Sequence, residues 1–277
     1  MDPTARFAAC LAAEVLPLDV ASFVIAAHAH PGLDTGEQTA RLDRLAAASP
    51  SSTPSELGRW LFGSGAFCGN TVDYYDPENS MLDTVLDRRL GIPITLSVLA
   101  IEIGRRLDID LVGVGMPGHF LLRVADDPDH FIDTFAGGAS LTAAGAESLF
   151  YRLHGTATAF SRELLEPAEP VDIVRRILAN LMAIYLDRSG ARAGPGSPHR
   201  SPHRFSPAPR ADAAWVLRLR TMLPGAPTDD VRRLADVLAR LGRYEEAALE
   251  HDRLATMEPL RAEQHLAIAL RLRAASN

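Results

Sequence analysis

The chain has 277 residues, of which 47% are hydrophobic, so it is long enough to bury a substantial core and to hold two domains. Its formal net charge of −7 and its pI of about 5.7 argue against nucleic-acid binding, which requires a basic face. No apolar run reaches the roughly 18 residues of a membrane-spanning helix, so neither a nucleic acid nor a membrane is expected as a partner.

Three further features of the composition concern the compartment in which the protein works. All 28 basic residues are arginine, a bias typical of a GC-rich bacterial genome. Cys10 and Cys68 are too few for a disulfide framework, which favours a reducing cytoplasm. The N-terminus carries Asp2 and Glu14 and has no basic stretch before a long apolar run, so no secretory signal is predicted. We therefore expect a cytoplasmic bacterial protein.

Residues 1–65 are predicted to form a helical cap. Phe7, Leu11 and Val15 recur every four residues, which is the spacing of one helix face. The predicted helices cover residues 4–16, 21–30, 35–48 and 54–62. His28 and His30 suggest a metal pair, but no Cys, Asp or Glu stands at ligand spacing beside them, so no metal site is predicted.

Residues 64–79, SGAFCGNTVDYYDPEN, are rich in Gly, Asn and Asp and are predicted to be a loop. Long loops in compact domains often bind ligands. Asn79 or Ser80 is predicted to cap the next helix, because Asp83 follows Ser80 by three residues, an acidic variant of the capping box. Gly91 is predicted to end that helix in the left-handed conformation.

Residues 66–160 are predicted to form an α+β core, a buried helix against a small antiparallel sheet. Pro93 suits the first position of a helix, and residues 94–103 are apolar on nearly all sides, which indicates a buried central helix. Short β-rich runs follow at residues 109–115, 119–125 and 130–135, with the turn sequence DDPD at 126–129. His119 lies on the second run and Asp133 on the third.

The C-terminal part is predicted to be helical. Residues 171–187 and 211–277 contain strong helical patterns, over 171–186, 211–223, 228–241, 244–257 and 262–275. Residues 188–210 are rich in Pro, Ser and Arg and are predicted to be a disordered linker. Met222 in MLPGAP and Met257 in MEPLRA stand 35 residues apart, close to the 34-residue period of tetratricopeptide repeats.

Three segments carry a resemblance to a known family: GNTVDYYDPENSMLDTVLDRRLGIPITLS, VGVGMPGHFLLRV and HFIDTFAGG. They resemble the bacterial SirB-type family, which joins a transglutaminase-like (papain-like) core to tetratricopeptide-like helices. The resemblance extends from about residue 23 to residue 261, apart from the linker, and is densest over residues 69–138. It implies a cytoplasmic protein whose core is related to cysteine-nucleophile enzymes, although much of the family has no assigned activity.

The resemblance also specifies a site. Such a core places a Cys at the start of the buried helix, a His on the neighbouring strand as base, and an Asp on the next strand that fixes the His tautomer. His119 and Asp133 match the last two by type, order and strand position. The Cys position falls at or beside Pro93, which is not a nucleophile.

Three residues are considered as substitute nucleophiles: Thr95 and Ser97 in the first turns of the helix, and Cys68 in the preceding loop. Hydroxyls have a far higher pKa than thiols, and helical Thr and Ser commonly bond the backbone one turn earlier. For His119 and Asp133, a structural hydrogen-bonded pair in the sheet is favoured over a catalytic role. A four-residue turn at 126–129 puts them on opposite sheet faces, whereas an odd-length turn or a bulge brings them together.

The favoured hypothesis is a non-catalytic transglutaminase-like module, a pseudoenzyme with a residual His119–Asp133 pair. It would bind a peptide or partner protein in a groove lined by Asn70, Tyr74, Tyr75, Asn79 and Pro93. No cofactor is expected.

Two alternatives stay open. The first is a hydrolase or acyl-transferase that uses Thr95, Ser97 or Cys68 with His119 and Asp133. The second is a regulatory protein that acts solely through its tetratricopeptide-like tail. A nucleophile within about 4 Å of a His119 ring nitrogen would favour the enzyme.

Overall fold

The computed structural model describes residues 2–63, 65–188 and 211–276. The chain divides into two compact units, Met1–Ile177 and Leu178–Asn277, and the boundary falls within one long helix. The helices up to that boundary are α1 Pro3–Leu11, α2 Leu18–Ala29, α3 Thr35–Ala47, α4 Pro54–Gly58, α5 Leu82–Arg88, α6 Pro93–Arg106, α7 Ala143–His154 and α8 Pro170–Arg188. The strands are β1 Cys68–Gly69, β2 Leu90–Gly91, β3 Leu111–Val114, β4 Leu121–Val124, β5 Asp127–Asp133 and β6 Ala139–Leu141.

The predicted helical cap corresponds to α1–α4. Helix α1 is shorter than predicted, because it ends at Leu11 and Val15 is 76% exposed, so Val15 does not continue the apolar face. Helix α4 ends at Gly58 and continues as a single π-helical turn to Gly63. Both α1 and α4 begin with Pro after a side-chain cap, from Asp2 and Thr53 respectively.

Helix α6 is the centre of the first unit, as its sequence predicted. It begins at Pro93, and residues 93–100 are all buried. It contacts α2, α3 and α5 of the helical region and β3 and β4 of the sheet. At its C-terminal end, Arg106 donates hydrogen bonds to Asp19 of α2 and Asp43 of α3, both at 2.7 Å. The central helix is therefore joined to the cap by ionic as well as apolar contacts.

The main sheet has four antiparallel strands in the order β3–β4–β5–β6. Residues of α7 pack on one face of it in an apolar cluster that includes Val114, Leu121, Phe131 and Phe150. The predicted turn at 126–129 is wrong, because the chain reverses at residues 125–126 and β5 already begins at Asp127. The fourth strand, β6, was not predicted. The predicted α+β class with a small antiparallel sheet is confirmed.

Two predictions at the ends of α5 are wrong. The helix begins at Leu82 after Met81, which provides no side-chain cap, while Ser80 ends a short 3-10 helix over Pro77–Ser80. The left-handed residue after α5 is Arg89, with φ of 60°, rather than Gly91, which pairs in β2. The Arg89 guanidinium lies 4.5 Å from the centre of the Phe67 ring, a cation–π contact that helps to hold this uncommon backbone conformation.

The second unit contains the end of α8 and four helices in which each packs against the next: α9 Ala211–Met222, α10 Thr228–Arg240, α11 Tyr244–Met257 and α12 Ala262–Ala275. The last two have the predicted bounds. In the predicted linker, Arg188 is the last residue of α8, and residues 189–210 lie outside the described residues. Among the helices described, none combines the length and the apolarity that crossing a bilayer requires.

Candidate functional site

His119 and Asp133 form a hydrogen-bonded pair. The Nε2 atom of His119 lies 3.0 Å from Oδ1 of Asp133, and the two side chains are only 11% and 8% exposed. Gly118, with φ of 72°, forms the turn before the imidazole, and the His119 amide donates to the Met116 carbonyl at 3.1 Å. A neutral imidazole that donates from Nε2 presents Nδ1 as an acceptor. Among the described residues, no group hydrogen-bonds Nδ1.

An irregular register brings these two residues onto the same side of the strand pair. Leu122 pairs with Ile132 and Arg123 with Phe131, but Val124 pairs with Asp127, so β5 carries three additional residues. Because side chains alternate between faces, an odd shift exchanges the faces of the whole downstream segment. The bulge therefore decides between the two arrangements that the sequence left open.

Asp133 also holds the backbone of the turn that follows β5. Its Oδ1 accepts hydrogen bonds from the amides of Phe135 and Ala136, each at 3.1 Å. A short carboxylate that bonds the amides two and three residues ahead stabilises a turn in its own right. The side chain therefore has a structural role whether or not His119 performs any chemistry.

Thr95 is bonded away from His119. Its side chain is buried, and its hydroxyl donates to the Asn79 carbonyl at 2.5 Å while accepting the Ile92 amide at 3.3 Å. The hydroxyl thus caps α6 and attaches the preceding loop to it. A hydroxyl in this position serves the helix end rather than an incoming substrate.

Ser97 and Cys68 are also bonded elsewhere. Ser97 is fully buried, and its Oγ lies 3.2 Å from Oγ1 of Thr134, which donates to the Pro93 carbonyl at 3.2 Å. Cys68 is partly exposed in β1, and its thiol donates to the Gly65 carbonyl at 3.6 Å. In the part of the chain that the structure describes, none of the three proposed nucleophiles hydrogen-bonds the imidazole.

The loop before α5 is closed by two buried amides. Asn70 donates from Nδ2 to Oδ1 of Asn79 at 2.9 Å, and Asn79 donates to the carbonyls of Asp73 and Tyr74 at 2.7 and 3.2 Å. Asn70 is 5% exposed and Asn79 is fully buried, and Pro93 is buried as well. These three predicted groove residues therefore shape the loop and the start of α6 and do not line a surface.

Tyr74 and Tyr75, by contrast, are 37% and 48% exposed. Their rings meet edge to face, with centroids 5.3 Å apart, and Tyr74 meets Phe135 in the same way at 5.8 Å. The ring of Phe135 lies 6.5 Å from that of His119. We call Tyr75, Tyr74, Phe135 and His119 the aromatic strip. Gly69 permits its packing, since a Cβ atom there would stand 2.4 Å from the Phe135 ring.

Arg176 of α8 is a site residue that the sequence did not identify. One terminal nitrogen of its guanidinium donates to the carbonyls of Met116 and His119, at 2.9 and 2.6 Å. The guanidinium also lies 5.5 Å from the centre of the Phe120 ring. Burial lowers the pKa of Arg176, an effect that the nearby Tyr74 hydroxyl opposes. Nothing in the helical pattern of α8 separates this arginine from its neighbours.

A second imidazole, His30, lies between two carboxylates at the end of α2. Its Nδ1 is 2.6 Å from Oδ2 of Asp83, and its Nε2 is 3.2 Å from Oε2 of Glu78. Burial lowers the pKa of His30, but the charges and hydrogen bonds of Asp83 and Glu78 outweigh it, so the pKa is raised. Within the described ranges, no group of three or more His, Cys, Asp or Glu has the arrangement of a metal site.

Comparisons with known proteins add the family context. A family model described as Transglutaminase-like superfamily matches residues 28–179. A UPF0162 protein of Xylella fastidiosa is 37% identical over 185 residues, which cover 62% of this chain and 66% of the relative. A UPF0162 protein of Pseudomonas aeruginosa is 34% identical over 193 residues, 67% of this chain and 71% of the relative.

A more distant similarity extends to a eukaryotic protein. F-box only protein 21 of Homo sapiens is 34% identical over 133 residues, which are 45% of this chain and 20% of that protein. The chain thus spans about two thirds of the length of its UPF0162 relatives and a much smaller part of the human protein. No solved structure matches the chain.

Proposed function

We propose that this chain, which belongs to the transglutaminase-like superfamily and to the UPF0162 family, is a non-catalytic module that binds a peptide or a partner protein. The observation that carries the proposal is the state of His119. Asp133 holds its imidazole as in a catalytic pair, yet no thiol or hydroxyl among the described residues hydrogen-bonds its Nδ1. A nucleophile requires a base within hydrogen-bond reach, and Thr95, Ser97 and Cys68 are bonded elsewhere.

The aromatic strip supports the binding half of the proposal. Tyr74 and Tyr75 are both partly exposed and lie on a loop that the Asn70–Asn79 bond holds in place, and Tyr74 also contacts Phe135. Aromatic side chains are enriched at protein interfaces, where they bury large areas and lose little conformational entropy. Phe135 contacts both Tyr74 and His119, so a peptide bound along the strip would also come close to the imidazole.

Covalent probes test the absence of catalysis. We expect a fluorophosphonate probe to leave the protein unlabelled, because no hydroxyl among the described residues is paired with His119. We expect iodoacetamide to label Cys68 at the rate of an ordinary thiol, changed by less than about twofold in His119→Ala. Cys68→Ser is the control that assigns the label. Labelling that disappears in His119→Ala would instead support the alternative, a hydrolase or acyl-transferase.

A peptide selection tests binding. Random peptides displayed on phage are selected on the full-length chain, and the dissociation constants of enriched peptides are measured by fluorescence anisotropy. We expect Tyr74→Ala to weaken binding by about tenfold or more, as for an interface hot spot. Tyr244→Ala, in the second unit, is the matched control and is expected to bind like the wild type. Failure to enrich any peptide, or equal affinities for the two variants, would contradict the proposal.

We also propose that α9–α12 are tetratricopeptide-like helices of the kind found in SirB-type proteins. Two consecutive helix pairs, α9–α10 and α11–α12, and the spacing of 35 residues between Met222 and Met257 support this reading. An experimental structure in which α9–α10 superimposes on α11–α12 with tetratricopeptide geometry would bear it out. Pairs with unrelated crossing angles would exclude it.

A further inference from the structure

Arg176 differs from two other partly buried arginines, Arg106 and Arg220, in having no carboxylate partner within the described residues. Arg106 bonds Asp19 and Asp43, and Arg220 lies 2.8 Å from Asp230. The hydrogen bonds of Arg176 go only to the carbonyls of Met116 and His119, and both come from the same nitrogen. The other two nitrogens of the guanidinium donate to no protein group described.

Among the described residues, the positive charge of Arg176 is compensated only by two carbonyl dipoles and one aromatic ring. Burying a charge is costly unless an opposite charge or a full set of hydrogen bonds accompanies it. Phe120 and two carbonyls offset part of that cost, and burial still lowers the pKa of Arg176. An anion arriving from outside would supply the missing counter-charge at this point.

The guanidinium is positioned to serve the proposed peptide site. It bonds the backbone carbonyl of His119 directly, and its charge interacts with Tyr74, so it is close to two members of the aromatic strip. A ligand lying along Tyr74 and Phe135 would therefore have this cation beside it.

We propose that Arg176 recognises a carboxylate of the bound peptide, either its C-terminal carboxylate or an Asp or Glu side chain. This inference rests on the proposed function. A single guanidinium suits a single negative charge, and the net charge of −7 disfavours polyanions. Arg176 would also act as a positioning residue, since the same guanidinium fixes the loop that carries His119.

Three short peptides form the test. Ac-Gly-Phe-Glu-Gly-NH2 carries only a side-chain carboxylate, Ac-Gly-Phe-Gln-Gly-OH only a C-terminal one, and Ac-Gly-Phe-Gln-Gly-NH2 carries neither. Each is titrated into the full chain labelled with 15N, and the amides of Tyr74, His119 and Phe120 are followed by NMR. We expect at least one charged peptide to bind about tenfold more tightly than the neutral one, a difference of about 1.4 kcal/mol.

Variants identify the group responsible. Arg176→Gln is expected to remove the difference between charged and neutral peptides, and Arg176→Lys to retain part of it because the charge remains. Arg175→Gln, one residue earlier and beside Asp172, is the matched control and should change each affinity by less than about twofold. Thermal unfolding of every variant verifies that the fold is intact, and Arg176→Lys keeps the test decisive if Arg176→Gln does not fold.

The outcomes separate this inference from the proposed function. Equal binding of all three peptides, or an unchanged preference in Arg176→Gln, would overturn carboxylate recognition while leaving peptide binding in place. Displacement of the charged peptides by inorganic phosphate at equal concentration would indicate a general anion site and would also overturn it. Absence of binding by all three overturns it as well, and the phage selection then decides the proposed function independently.

Discussion

Two imidazoles of the first unit, His119 and His30, lie against carboxylates and differ in how many ring nitrogens the protein uses. In His30 both ring nitrogens contact a carboxylate, Nδ1 that of Asp83 and Nε2 that of Glu78. In His119 only Nε2 is bonded, to Asp133, and the other nitrogen has no partner among the described residues. The contacts of His30 join the end of α2 to α5 and to the 3-10 helix before α5. In His119, Nδ1 remains able to accept a hydrogen bond from a ligand.

The comparison teaches that pairing with a carboxylate does not by itself mark a functional histidine. An imidazole bonded on both sides is an element of the scaffold, because any ligand would have to break an existing bond. An imidazole bonded on one side is held in place and is still able to accept a proton or a hydrogen bond.

The largest expected effect is on stability when His30 is removed. His30→Ala leaves Asp83, which is only 6% exposed, and Glu78 without their shared cation, so we expect a loss of about 2 kcal/mol in the free energy of unfolding. Urea denaturation at pH 6 measures it. The control His130→Ala removes a ring whose hydrogen bond is to the Ser140 hydroxyl, and it should cost less than about 0.5 kcal/mol. Equal losses would contradict the scaffold role of His30.

Removing the two members of the His119–Asp133 pair is expected to give unequal, smaller effects. Asp133→Ala should cost about 1–2 kcal/mol, because the turn amides of Phe135 and Ala136 lose their acceptor. His119→Ala should cost less than about 1 kcal/mol, since Asp133 keeps those two bonds. The same urea series compares them. A larger loss for His119→Ala would show that the imidazole, too, is mainly structural.

The pH dependence should differ in sign between His30 and a histidine of the second unit, His251. The raised pKa of His30 means that its stabilising effect is complete below the unfolded value of 6.5 and is lost as the pH rises through the folded pKa. Burial, together with the neighbouring His265, lowers the pKa of His251. Its stabilising effect is therefore present above 6.5 and is lost as the pH falls through the folded pKa.

Ring proton titrations by NMR measure both histidines in one sample. The midpoint of His30 should lie above 6.5 and that of His251 below it. Asp83→Asn should lower the His30 midpoint without moving that of His251. Midpoints that coincide would contradict the assigned environments.

The smallest effect is expected at Cys68. Cys68→Ser keeps a small hydrogen-bond donor beside the Gly65 carbonyl at the partly exposed start of β1, so stability should change by less than about 0.5 kcal/mol. Peptide affinity should also remain unchanged. A marked loss of binding would give the thiol a role that its position does not indicate.

The elements with one dominant local signal could be predicted from the sequence. Pro93 followed by ten mostly apolar residues identified the start and the burial of α6, and the bounds of α11 and α12 agree with their patterns. The His119–Asp133 pairing was foreseen from residue order, but the sequence could not choose between two strand registers. That choice depends on three additional residues in β5.

Predictions from the sequence were wrong or missing where contacts between distant parts of the chain determine the local structure. Of the predicted turn DDPD only Asp126 lies in the turn, while Asp127 already pairs with Val124 of β4 and begins β5. Asn70 and Asn79 have the composition of a solvated loop, yet their amides satisfy each other in the interior. Arg176 is separated from His119 by 57 residues, and only the packing of α8 brings them together.

The Asn70–Asn79 bond has a consequence for the kinetics of recognition. It joins the two ends of the loop formed by residues 70–79. The Thr95 hydroxyl attaches this loop to α6 by donating to the Asn79 carbonyl. A loop already held in its bound shape loses little freedom when a ligand arrives, so association should be a single step without a slow rearrangement. Selectivity would then come from the fixed spacing between rings and charge, and a ligand that requires this loop to open would be rejected.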